Sequence, residues 1–222
     1  HIHFAHAFFV AALLYMAAGI VYASMEPGRT HSAKLRLTLH KEYRLYYWLS
    51  ILFGARKQIF LTFAPWVLVS VYHQPTTVLA TLLTIGGISG IVFQPLLGRA
   101  IDRLGEKAIL IAEAVVLLTI CFGYAFASWL FAPQVAFLVS AACYVIDLLL
   151  MSVNMARATY IKKIAKHPDH ITPALTMSVT LDHIFSIGIA LVGGVIWITV
   201  GFQMVFLFGG LIAIANFVSA LF

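Results

Sequence analysis

Seven apolar runs, each set off from the next by a short polar break, organise this chain. They fall at about residues 2–25, 45–72, 75–98, 105–128, 134–158, 172–199 and 203–222. Each nears or exceeds the ~20 residues that an α-helix needs to cross a hydrocarbon core about 30 Å thick. The longest runs imply tilt or an interfacial extension rather than a second element. Three breaks carry turn chemistry: His73-Gln74-Pro75, Ala132-Pro133 and Thr199-Val200-Gly201. Pro65, next to Trp66, is expected to kink the outer half of the second run. The pattern predicts an all-α, polytopic transmembrane bundle of seven spans.

Composition agrees with that pattern and excludes a soluble domain. Of 222 residues 62% are hydrophobic and 10% charged, and the mean hydropathy is +0.98. The charges add an orientation. Of fourteen Lys and Arg, five lie in residues 26–44, three in 98–107, four in 157–170, and two inside a helix. The remaining breaks carry none. Alternate loops are thus basic and uncharged, which is the positive-inside pattern. His1 is expected outside, Phe222 inside, and the basic loops at the cytoplasmic face. Lipid-facing loops account for the net charge of +6, so no nucleic-acid partner is called for. Cys121 and Cys143 sit in apolar runs and read as inert packing residues.

One basic loop carries a motif, Gly98-Arg-Ala-Ile-Asp102-Arg103-Leu-Gly105-Glu106-Lys107. Gly98 permits a close backbone approach or a φ > 0 exit, Asp102 can cap the following helix, and Gly105 allows tight packing. The spacing Gly-x-x-x-Asp-Arg-x-Gly-x-Lys resembles the signature loop of the major facilitator superfamily of secondary transporters. Glu106 departs from it, reversing a charge at a usually basic position. The resemblance implies twelve spans in two six-helix halves. Residues 1–25 would then be the sixth span, 26–44 the basic central linker, and 45–222 the complete C-terminal half. It also implies that Gly98, Asp102, Arg103, Gly105 and Lys107 form a conformational gate at the cytoplasmic face. Glu106 would weaken the cationic end of that gate. The partner of this chain would be the missing N-terminal half.

Charged groups inside the spans single out a candidate site, because a charge in the hydrocarbon region costs a few kcal/mol and normally faces a cavity or a partner. Arg56 and Lys57 fall near mid-depth, and so do Asp182 and His183. Asp147 comes out nearer the cytoplasm and Glu113 shallower still. One reading is structural, with Arg56 or Lys57 neutralised by Asp182 or Asp147. The other is functional. Arg56, Lys57, Gln58 and Asp147 would bind a solute, since a guanidinium fork suits a carboxylate, phosphate or sulfate. Asp182 and His183 would carry a proton, because burial raises a carboxylate pKa and histidine titrates near neutrality.

Other features carry less. Gly86-Gly87, Gly90, Gly188 and Gly193-Gly194 suit helix packing. His1, His3 and His6 do not promise a metal site, and His167-Pro-Asp-His170 reads as a hydrated turn. No nucleophile–base arrangement, phosphate loop or HExxH motif is present, so neither an enzyme nor a cofactor is expected. The expectation is a plasma-membrane (inner-membrane) secondary transporter, moving a small anionic or zwitterionic solute by alternating access with proton coupling. A seven-helix receptor or sensor is the alternative.

Overall fold

The computed structural model describes residues 4–25 and 39–221. His1, His3, Phe222 and most of the expected basic linker lie outside the described residues. The first helix, α1 (Phe4–Ala23), forms a unit by itself, and residues from Arg36 onward form a second.

The second unit is built from α2 (Arg44–Trp66), α3 (Thr76–Leu130), α4 (Pro133–Leu150), α5 (Asn154–Ile164), α6 (Ile171–Thr199) and α7 (Phe202–Leu221). No strand occurs among the described residues. Among the described residues four segments are long and apolar enough to cross a membrane: α3, α4 with α5, α6 with the turn before it, and α7. In α1 the apolar helix Phe8–Ala23 is shorter, and α2 carries Arg44, Arg56, Lys57 and Gln58. The protein is an all-helical, multi-pass membrane protein.

The breaks expected at His73–Pro75, Ala132–Pro133 and Thr199–Gly201 are where the helices end, but others differ from the hydropathy pattern. The expected loop over 98–107 is helical except at Gly105, whose φ of 80° and ψ of 162° fold α3 back on itself. That conformation is open essentially to glycine alone. Residues 76–104 and 106–130 thus become two arms, roughly 43 and 37 Å long. Pro65 does not end α2. The chain runs through it into one wide turn at Val67–Val71, where the Tyr72 N–H donates to the Val67 carbonyl. The span expected to stop at residue 158 tightens instead at Met151–Val153 and continues as α5 to Ile164.

Two ends result. At one lie the start of α2, the Gly105 turn, the end of α5, the start of α6 and the end of α7. Lys163 there meets Glu106, Lys166 meets Glu42, and Lys107 donates to the Leu221 carbonyl. At the other lie Tyr72–Gln74, Pro133 and the junction of α6 with α7. All four tryptophans sit near helix ends. Trp48 is at the basic end, and Trp66, Trp129 and Trp197 are at the other. From Trp48 to Trp66 the rise is roughly 27 Å, close to the hydrocarbon thickness, and such amphipathic rings favour the interfaces.

The core is aromatic. Tyr124 stacks on Phe206 at 4.3 Å and 9°, and Phe60 meets both edges, which joins α2, the second arm of α3, and α7. Of the glycines read as packing sites, Gly86 faces Leu148 and Gly193 faces Phe63 closely, whereas Gly87, Gly188 and Gly194 border open space.

Candidate functional site

The run Phe53-Gly54-Ala55-Arg56-Lys57 places four helices around one turn of α2. On its buried side two ion pairs lie against Phe53. Arg56 Nη2 is 3.2 Å from Asp147 Oδ1, and Arg157 Nη2 donates to Glu113 Oε2 at 2.7 Å. All four residues are no more than 2% exposed. Both guanidinium groups approach the Phe53 ring, Arg157 at 4.6 Å and Arg56 at 5.7 Å from its centroid. Arg56 Nη1 also donates to the Met151 sulfur at 3.4 Å. Two cations and two anions make the cluster neutral, which is how charges survive where water and lipid headgroups are absent. It bolts α2, the second arm of α3, α4 and α5 together.

Turned about 100° along the helix, Lys57 points to α6 instead. Its ammonium donates to Asp182 Oδ2 at 2.6 Å, with the two side chains 19% and 14% exposed. Ser186 donates to Asp182 Oδ1 at 3.1 Å and contacts the Gly54 carbonyl at 3.0 Å. Gly54 makes this crossing possible. A Cβ there would stand 2.8 Å from the Asp182 carbonyl oxygen and would collide with its carboxylate. Lys57 and Asp182 lie roughly 20 and 17 Å along their helices from the basic end, so the pair sits at mid-depth.

The structure thus brings together Arg56 with Asp147 and Lys57 with Asp182. It does not bring Arg56 to Asp182. Gln58 donates to Thr62 on its own helix, and His183 is exposed and makes no bond to this pair. Arg157, assigned by its position to a basic loop, is instead a core residue of α5. Its partner Glu113 offered a signal, because a lone carboxylate in an apolar arm requires a cation. The geometry was hidden, however. Asp147 and Arg157 are ten residues apart, roughly 80° out of phase on a regular helix. The tight turn at Met151–Val153 adds about 60° and brings both onto one face.

At the Gly105 turn the motif residues separate. Asp102 and Arg103 are exposed and form no hydrogen bond or ion pair among the described residues. Asp102 lies inside the first arm, three residues before the fold-back, so it caps nothing. Gly98 is helical and faces open space, so neither the close approach nor the φ > 0 exit expected of it occurs. Lys107 donates to the Leu221 carbonyl at the end of α7, where a cation complements the helix dipole. Glu106, the departure from the motif, is 2.7 Å from Lys163 Nζ and ties the second arm to α5.

A family model described as Major Facilitator Superfamily matches residues 1–181. That match covers the signature turn, both arms of α3, the neutral cluster and the start of α6 through Leu181. Neither a curated protein nor a solved structure matches the chain significantly.

Proposed function

The chain belongs to the Major Facilitator Superfamily, a family of membrane transporters, and we propose that it moves a small anionic or zwitterionic solute by alternating access coupled to protons. The observation that carries this reading is the Lys57–Asp182 pair. It is held at mid-depth, partly open, and backed by a neutral cluster that has no exposed face. Such midplane sites between helix bundles are where secondary transporters hold their solutes.

The division of labour follows from exposure. Arg56 and Asp147 neutralise each other inside the bundle, and Arg56 reaches a solute only by leaving Asp147. Lys57 is held by Asp182 and lies 5.8 Å from the Phe53 ring centroid, yet stays partly exposed. A proton taken up by Asp182 removes the charge that holds the Lys57 ammonium, which then becomes free to bind a solute anion. Release of the proton draws the ammonium back and expels the anion. Gln58 flanks Lys57, and His183 flanks Asp182 as a route for the proton.

Seven membrane-crossing segments accommodate this scheme: α1, α2, the two arms of α3, α4 with α5, α6, and α7. The basic end faces the cytoplasm of a plasma membrane by the positive-inside rule. On this reading residues 1–25 are the sixth span, 26–44 the linker, and 45–222 the C-terminal half, with an N-terminal half closing the solute cavity. Asp102 and Arg103, exposed and unbonded at the turn, would gate the cytoplasmic side against that half, with Gly105 and Lys107 shaping the turn that presents them and Gly98 leaving an open helix face beside it. The family match favours transport over the receptor alternative.

Uptake of anionic, zwitterionic and neutral solutes into proteoliposomes, with and without a proton gradient, tests the reading. Uptake of a charged solute that is abolished by Lys57→Gln, with normal insertion, supports it. Equal transport by Lys57→Gln and wild type would remove the proposed solute contact.

A further inference from the structure

At the basic end two histidines from distant parts of the chain meet around one tyrosine, and a third packs beside them. His40, just before α2, stacks on His170 at the start of α6, with ring centroids 4.3 Å apart and planes 20° from parallel. His167 meets His170 edge-on at 5.3 Å. Tyr43, only 2% exposed, sits beside His40 and His170: its hydroxyl lies 3.0 Å from His170 Nδ1 and accepts the Lys166 backbone N–H at 3.1 Å. Among the described residues no group is arranged to hold a metal here. His167, Pro168 and Asp169 are exposed as in a hydrated turn, whereas His170 is half-buried against Tyr43.

The bonding at Tyr43 favours one tautomer of His170. Its oxygen already accepts from Lys166, and among the described residues the acceptor placed for its own proton is His170 Nδ1. In this arrangement His170 accepts at Nδ1 and is neutral. A proton placed on Nδ1 turns that acceptor into a donor and leaves the buried Tyr43 proton without a partner, at the cost of an unsatisfied buried group. Charging His40 as well sets two cations face to face at 4.3 Å.

From this geometry we infer that His40, Tyr43 and His170 form a proton-sensitive clasp, closed when the imidazoles are neutral and loosened when the cytoplasm acidifies. The neighbouring charges are Lys41 and Glu42 before α2, and Lys166, His167 and Asp169 before α6. Glu42 opposes loosening, since it attracts protonated rings, but its carboxylate is already held by Lys166 Nζ at 2.6 Å. The clasp joins the starts of α2 and α6, the helices that carry Lys57 and Asp182. Resting on the transport reading above, it makes cytoplasmic pH a regulator of that site: closed, it restrains the relative movement of the two helices; open, it releases it.

The test is dipolar broadening between nitroxides at Leu39→Cys and Thr172→Cys, both exposed positions, in the full-length protein with Cys121 and Cys143 replaced by alanine. Spectra at about pH 8 and about pH 5.5 bracket ordinary histidine titration. Broadening is expected at the higher pH and loss of most of it at the lower. His170→Asn, which keeps an acceptor near the Nδ1 position but does not titrate, should remain close at both. Tyr43→Phe should be separated at both. Wild-type spectra that do not change, or a full pH response in His170→Asn, would overturn the clasp. Solute uptake measured on the same samples separates the two readings. Opening on acidification without any uptake at either pH supports the clasp and counts against transport.

Discussion

Replacing Arg56 with glutamine strands the Asp147 carboxylate, which is 1% exposed and has no other ion-pair partner. The reverse change, Asp147→Asn, leaves the Arg56 guanidinium with only the Met151 sulfur and the face of Phe53. Breaking a buried pair from one side costs about 3–5 kcal/mol, mostly the penalty of the charge left behind. In a chain of this size that corresponds to a drop of about 6–20 °C in the unfolding midpoint. The double mutant leaves two neutral amides and no stranded charge. It should return to within about 1 kcal/mol of wild type, a coupling of at least about 5 kcal/mol. Thermal unfolding in detergent, followed by intrinsic tryptophan fluorescence, reads all four members of the cycle. The Arg157–Glu113 pair provides an independent replicate on the other side of Phe53. Additive losses in the double mutant, or single mutants as stable as wild type, would show that the cluster is not a neutral structural bolt.

Three further outcomes are expected. Gly105→Ala should lower stability by about 1–3 kcal/mol, because its φ of 80° and ψ of 162° suit glycine alone; Gly98→Ala should be tolerated, since nothing lies within 4 Å of the added methyl. Both are read from the same unfolding curves. Gly54→Ala should push α6 away from α2, costing about 1–3 kcal/mol and uptake with it, because its Cβ would stand 2.8 Å from the Asp182 carbonyl. The Glu42 carboxylate is held below its usual value by the hydrogen bond from Lys166. Its contribution is therefore present above the ordinary carboxylate range and lost as pH falls through the lowered value. Both groups are solvent-exposed, so Glu42→Gln should change the midpoint little at neutral pH and should not respond to added salt.

Hydropathy alone located the helices, because each must fill a fixed thickness of hydrocarbon with apolar side chains. It misplaced the break at 98–107, because charges there mark where the chain meets the membrane surface, not where its backbone turns. Only Gly105 turns. The midplane charges Arg56, Lys57, Asp147 and Asp182 were legible for the same reason: a charge in an apolar run stands out. Their pairing was not, since it depends on which helices neighbour α2 and on a 100° step between adjacent residues. Arg157 was hidden among surface cations by sequence proximity to Lys162, Lys163 and Lys166. The His40–Tyr43–His170 contact joins residues more than a hundred positions apart and left no local pattern.

The central claim is that Asp182 exchanges the proton that releases Lys57. Asp182→Asn in proteoliposomes tests it most directly, by comparing gradient-driven uptake with solute counterflow at equal pH on both sides. The account predicts that gradient-driven accumulation is lost while counterflow persists, because the solute contact remains and only the proton step is removed. Accumulation driven by a pH gradient at the wild-type level in Asp182→Asn would contradict it.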